Sequence, residues 1–122
     1  MPDAQPNANA IEAVPLTGTA NQIEWATDIR NKVNLEFDRV ARALASVREG
    51  QSELRRTATV HILGILAEIR AEVMANERAG YYIHDWQERG SQVRTMLLRD
   101  VRYLAVVSER HAAEAREKAS IS

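Results

Sequence analysis

Between Thr19 and Gly50 the apolar residues Ala26, Ile29, Val33, Phe37, Val40, Leu44 and Val47 recur at spacings of three and four. That period gathers them on one stripe of an α-helix about seven turns long, whereas a strand would scatter them over both faces. Thr19-Ala20-Asn21-Gln22 fits a capping box: Thr19 accepts from the third backbone amide and Gln22 reaches back. Gly50 supplies a stop. Asp28 with Lys32, and Asp38 with Arg42, are acid-to-base pairs one turn apart on the wet side. A helix this long with a single apolar stripe commits the chain to helix-on-helix packing.

The remaining pattern supplies the partners. From Ser52 to about Asn76, Leu54, Ala58, Ile62, Ile65, Ile69 and Val73 form a second stripe, widened by Val60, Leu63, Leu66 and Met74. A helix apolar around so much of its circumference is central in a bundle or lies in an oligomer interface, so self-association through helix two is expected. Gly64 costs about 1 kcal/mol against Ala in a helix interior, and predicts a close helix–helix approach there. Gly80 and Gly90 bracket Tyr81–Arg89, a short helix or ordered turn. Ser91 caps a last long helix to about Glu117, with Val93, Leu97, Val101, Leu104 and Val107 or Ser108 inward and Tyr103 and Val106 off the seam. The expected fold is all-α: an antiparallel bundle of three long helices plus one short helix over residues 19–118. Residues 1–18 carry all three prolines and read as a flexible N-terminal leader, with docking through Ile11, Val14 and Leu16 as the alternative. Residues 119–122 read as a frayed tail.

Composition removes several classes of function. The chain has no cysteine, so thiolate chemistry, thiolate metal sites and disulfides are excluded. Asp and Glu number 17 against 16 Lys and Arg, a balance that argues against strong nonspecific binding to DNA. Nearly all the positive charge is arginine, Lys32 and Lys118 being the only lysines. The first ten residues lack the basic and apolar regions of a signal peptide, and Val60–Ile69 is interrupted by His61, Gly64 and Glu68. Neither export nor a membrane span is indicated, and a cytoplasmic protein is expected. His61, His84 and His111 fall on different predicted elements, and His111 with Glu114 has no second such pair, so neither a metal nor another cofactor is expected. No phosphate-binding glycine loop, nucleophile elbow or zinc helix motif is present. His84-Asp85 beside two tyrosines is the one place of mixed acid, base and aromatic character, and the expectation is a protein that is not an enzyme.

One local concentration stands out. Tyr81, Tyr82 and Trp86 are three of the chain's six aromatic residues, and Arg89, Arg94, Arg99 and Arg102 follow them. Tyr, Trp and Arg are the residue types that dominate interface hot spots. These seven residues form the candidate partner-binding set; Trp25 and Ile23 are expected to close the bundle end against Tyr81, Tyr82 and Ile83, with the arginines as the exposed rim. Docking on a protein partner is the first reading. A nucleic-acid-associated accessory role, with arginines on phosphates and aromatics stacked on bases, is the alternative.

Two segments carry a resemblance. Leu16-Thr17-Gly18-Thr19-Ala20-Asn21-Gln22-Ile23-Glu24-Trp25-Ala26-Thr27-Asp28-Ile29-Arg30 resembles the opening of a group of short phage- and plasmid-borne bacterial proteins. Their first helix reads roughly Gly-Ser/Thr-x-x-Gln-Ile-x-Trp-Ala-x-x-Ile-Arg. Ala79-Gly80-Tyr81-Tyr82-Ile83-His84 is similar to a later Ala-x-Trp-Trp-Ile-Asp/His element of the same group, with tyrosines where tryptophans are common. The resemblance implies a mobile-element setting for a regulatory or interaction protein, and transfers no catalytic or ligand residue.

Overall fold

The computed structural model describes residues 14–121, and it is all-helical. In order come α1 (Ala20–Ser46), a 3₁₀ turn (Arg48–Gly50), α2 (Glu53–Met74), α3 (Ala79–Asp85), α4 (Arg89–Arg99) and α5 (Val101–Ile121). Among the described residues there is no strand, and a lone parallel bridge joins Thr17 to Arg78.

The start of α1 is built as its sequence directs. Thr19 is extended, its hydroxyl accepts from the Gln22 amide at 3.2 Å, and Gln22 Oε1 accepts from the Thr19 amide at 2.9 Å. Buried Ala26, Ile29, Val33, Phe37 and Val40 follow the expected stripe. The helix ends earlier than expected, at Ser46, and a 3₁₀ turn carries the chain to Gly50, leaving Val47 exposed. Ser52 caps α2 by accepting from the Arg55 amide.

Helix α2 occupies the middle, packing on α1 along one side and on α5 along another. Ile62, Leu66, Ile69 and Val73 join the α1 residues in the core. Arg70 locks the α1–α2 pair: Nε donates to Asn34 Oδ1 at 2.6 Å and Nη1 lies 2.8 Å from Asp38 Oδ1. Asp38 therefore pairs across helices with Arg70 rather than along α1 with Arg42. Gly64 departs from expectation: it is exposed, with open space where a Cβ would stand, so no helix approaches it.

The expected last helix is two helices. Asp100 is extended (ψ 134°), ending α4, and its Oδ1 accepts from the Arg102 amide at 2.9 Å to start α5. An Asp that caps the next helix competes with helix continuation. The break changes the phase of everything after it. Val101 and Leu104, expected inward, are 77% and 51% exposed, while Tyr103 and Val106 pack against the core. Five helices thus replace the expected three long and one short. The C-terminal residues do not depart from the helix at Ala119, since α5 runs to Ile121.

The leader expected over residues 1–18 is partly docked. Residues 1–13, Ile11 included, lie outside the described residues. Leu16 packs against the core, Arg30 Nη1 donates to the Val14 carbonyl at 2.7 Å, and Thr17 exchanges backbone hydrogen bonds with Glu77 and Ala79. Gly18 follows at φ 146°, where a Cβ would lie 3.0 Å from Gln22 Oε1 and 3.2 Å from Ala79 Cβ. Both the backbone angle and the space require glycine.

Two stability outcomes are expected. Gly18→Ala should cost about 1–3 kcal/mol through backbone strain, read from urea unfolding. Asp100→Ala should cost about 1 kcal/mol through loss of the cap, and equal stability of variant and wild type would contradict the capping role.

Candidate interaction surface

Helix α3 is only seven residues long, yet it sets the end of the bundle by packing on α1. Tyr82 and Trp86 are fully buried, at 0% and 1% exposure. The Tyr82 hydroxyl donates to the Val73 carbonyl at 2.7 Å, tying α3 to the end of α2. Trp86 meets Phe37 of α1 with ring centroids 6.3 Å apart and planes tilted by 56°. Such a pair contributes about 0.5–1.5 kcal/mol beyond the area buried. Tyr81, half-buried, stands edge-on to Tyr82 at 5.0 Å.

Arg30 completes this cluster. Its guanidinium lies 6.0 Å from the Tyr82 ring centroid while donating to Val14, so a largely buried cation is held by a carbonyl and an aromatic face. Burial pushes the Tyr82 phenol up to about 12, against the opposing pull of Arg30. Burial raises the Tyr81 phenol as well. Among the described residues the Trp86 indole N–H meets no hydrogen-bond acceptor.

Two members of the candidate set therefore leave the surface. Tyr82 and Trp86 are core residues, and the aromatic that packs against Trp86 is Phe37. Trp25 was the expected partner of this lid, but it stands 59% exposed.

The arginines divide. Arg89 begins α4, and its Nη1 approaches the Trp86 carbonyl at 3.4 Å. Gln92 Nε2 donates to the Asp85 carbonyl across the same turn. Arg94 and Arg99 are exposed, and their side chains make no ion pair or hydrogen bond among the described residues. Arg102 is committed: its guanidinium donates to Asp100 at 2.9 Å and to Glu72 of α2 at 3.0 Å. The hydrogen bonds from Arg102 hold the Asp100 carboxyl down at about 2.

What the structure brings together instead is a groove between α1 and the α3–α4 turn. One part, of about 400 Å³, is lined by Trp25, Ile29, Lys32, Ile83, His84 and Arg89 among others. It continues past Lys32, Gln87 and Arg89 into a second part of about 670 Å³ bounded by Leu35, Glu36 and Gly90. Leu35 is 63% exposed. The charges along the rim are locally balanced, with Lys32 3.0 Å from Asp28 and Arg39 2.7 Å from Glu36. Arg39 also donates to the Gly90 carbonyl, fixing the start of α4 against α1. Of the groove's lining, only Arg89 and Trp86 belong to the candidate set. Leu35 carried a signal: it is apolar and lies off the three-and-four spacing of α1.

His61, His84 and His111 are exposed on α2, α3 and α5, and among the described residues no three His, Asp or Glu side chains converge to hold a metal ion. No described helix is long and apolar enough to cross a membrane. No protein-family profile, curated protein or solved structure matches the chain.

The Tyr82 phenol generates a pH prediction. An unfolded tyrosine ionises near about 10, and the folded one near about 12. Over that interval the native state keeps its proton while the unfolded state loses it, so stability should fall as pH rises. Tyr82→Phe should flatten this slope and cost about 1 kcal/mol at neutral pH through the lost hydrogen bond to Val73. Urea midpoints for both proteins from neutral to alkaline pH check the sign.

Proposed function

We propose that this chain is a small non-enzymatic interaction or regulatory protein that docks on a protein partner through the groove between α1 and the α3–α4 turn. The observation that carries this reading is the exposure of Trp25 and Leu35 along one continuous groove with Lys32 and Arg89 at its rim. A large aromatic and an aliphatic side chain, left in water beside cations with long apolar stems, have the composition of a hot spot with its polar surround. The helices behind it serve as a scaffold, read here as an antiparallel bundle joined by short turns. The resemblance of the Leu16–Arg30 and Ala79–His84 segments supports a phage or other mobile-element origin, and with it a cytoplasmic setting.

The burial of Tyr82 and Trp86 favours protein over nucleic acid. A single-strand binder needs aromatic faces open to bases, and the two aromatics expected to stack on bases, Tyr82 and Trp86, are closed off. Arg102 is likewise held by Asp100 and Glu72.

Trp25→Ala and Leu35→Ala should each change stability by less than about 0.5 kcal/mol, as exposed substitutions do, yet abolish capture of the partner. Arg94→Ala and Arg99→Ala should leave capture intact. The reverse pattern, together with salt-sensitive binding to single- or double-stranded DNA, would replace this reading with the nucleic-acid one.

A further inference from the structure

Helix α5 is turned with its charges inward. Towards α2 it presents Arg102 to Glu72 at 3.0 Å and Glu114 to Arg55 at 3.1 Å, with Tyr103 and Val106 between. No residue of α5 is fully buried. The opposite side carries Val101, Ala105, Ser108, Ala112 and Ala115, all exposed, with exposed Leu104 beside them. Their spacing is four, three, four, three, and no charged residue interrupts the line. That four-and-three spacing is the one at which the seam residues of paired helices recur.

The flanks identify the second helix. Exposed Glu109 and Arg116 lie seven residues apart on one edge of the seam, and His111 lies on the other edge. Set antiparallel about a twofold axis, two copies of α5 place Glu109 of each opposite Arg116 of the other, giving two opposite-charge pairs. In the parallel arrangement Glu109 meets Leu104 and Arg116 meets His111, and no such pair forms. Small side chains along the seam permit a close approach of the two backbones.

We infer that a second copy of this chain covers the outer face of α5, forming an antiparallel, twofold-symmetric homodimer. This locates self-association on α5 rather than on α2, whose apolar circumference is used by α1 and α5. The outward line on α2, Val60, Gly64, Ala67 and Ala71, is the competing surface.

Analytical ultracentrifugation of the full chain over a concentration series tests the assignment. A monomer–dimer equilibrium is expected. Ala112→Glu should abolish it while leaving helical circular dichroism and dilute-solution unfolding unchanged. Glu109→Arg or Arg116→Glu alone should weaken the dimer about tenfold, by replacing two attractions with two repulsions. The two substitutions together should restore wild-type association. A monomer at every concentration, a dimer lost to Val60→Glu but not to Ala112→Glu, or a double variant no tighter than either single one would each overturn the proposal.

Discussion

The bridge between Thr17 and Arg78 is where the two ends of the main helical pair are joined. Thr17 donates its amide to the Glu77 carbonyl at 2.7 Å and accepts from the Ala79 amide at 3.0 Å. These bonds hold the start of α1 against the start of α3. Gly18 makes the contact feasible, since only a residue without Cβ can turn at φ 146° with Ala79 so near. From that point each helix has one direction in which to go. α1 leaves through the Thr19–Gln22 capping box, and α3 leaves with Tyr82 and Trp86 pressed on α1 and on the end of α2. A seven-residue helix has little intrinsic stability, so α3 persists because both its ends are tied: by the bridge at one end, and by Tyr82 and the Gln92–Asp85 bond beyond.

This arrangement also brings together two distant segments, one at the start of α1 and one in α3. Leu16–Arg30 and Ala79–His84 are separated by nearly fifty residues in the chain, yet they meet at Thr17–Ala79, Gly18–Ala79 and Arg30–Tyr82. The glycine accommodates the alanine, the arginine sits by the aromatic ring, and the aromatic hydroxyl ties off α2. A tyrosine at position 82 carries a hydroxyl that donates to Val73, where an indole would need a different geometry for its N–H. The two segments therefore form one structural joint, and the proposed docking lies on the surfaces that the joint leaves open.

Local signals were legible in the sequence and long-range ones were not. The capping box at Thr19, the start of α2 near Ser52 and the stripe of α1 as far as Val40 depend on residues within a few turns of each other, and these match the structure. Val47 lies beyond the helix end and is exposed. The central place of α2 followed from its wide apolar circumference. The division of the last helix turned on Asp100, whose capping tendency competed with an apolar period that continued through it. Periodicity alone favoured continuity, and the real break reversed which of Val101, Tyr103, Leu104 and Val106 faces inward. Two of the seven candidate site residues are buried for a related reason. Aromatic composition does not distinguish a lid from a hot spot, and the packing of Trp86 on Phe37, with Trp25 left exposed, depends on how α3 crosses α1, which no local pattern encodes. Gly64 was misjudged because a helix glycine implies close packing only if another helix lies across it.

The division at Asp100 has a consequence for the whole surface. Had α4 and α5 formed one helix, Val93, Leu97, Val101 and Leu104 would have lain on one seam and closed the core together. With Asp100 extended, Val93 and Leu97 stay inside while Val101 and Leu104 turn out, and Tyr103 and Val106 pack inward beside the salt bridges that Arg102 and Glu114 make to α2. Exposed ion pairs contribute little to stability, so α5 is held less firmly than α1 or α2 and gains less from its own fold than its length allows. A helix in that position retains apolar surface that the monomer does not use. The same capping aspartate that ends α4 thus separates the molecule into a well-packed body and an outer helix, and the outer helix is the part whose energetics leave most room for a partner.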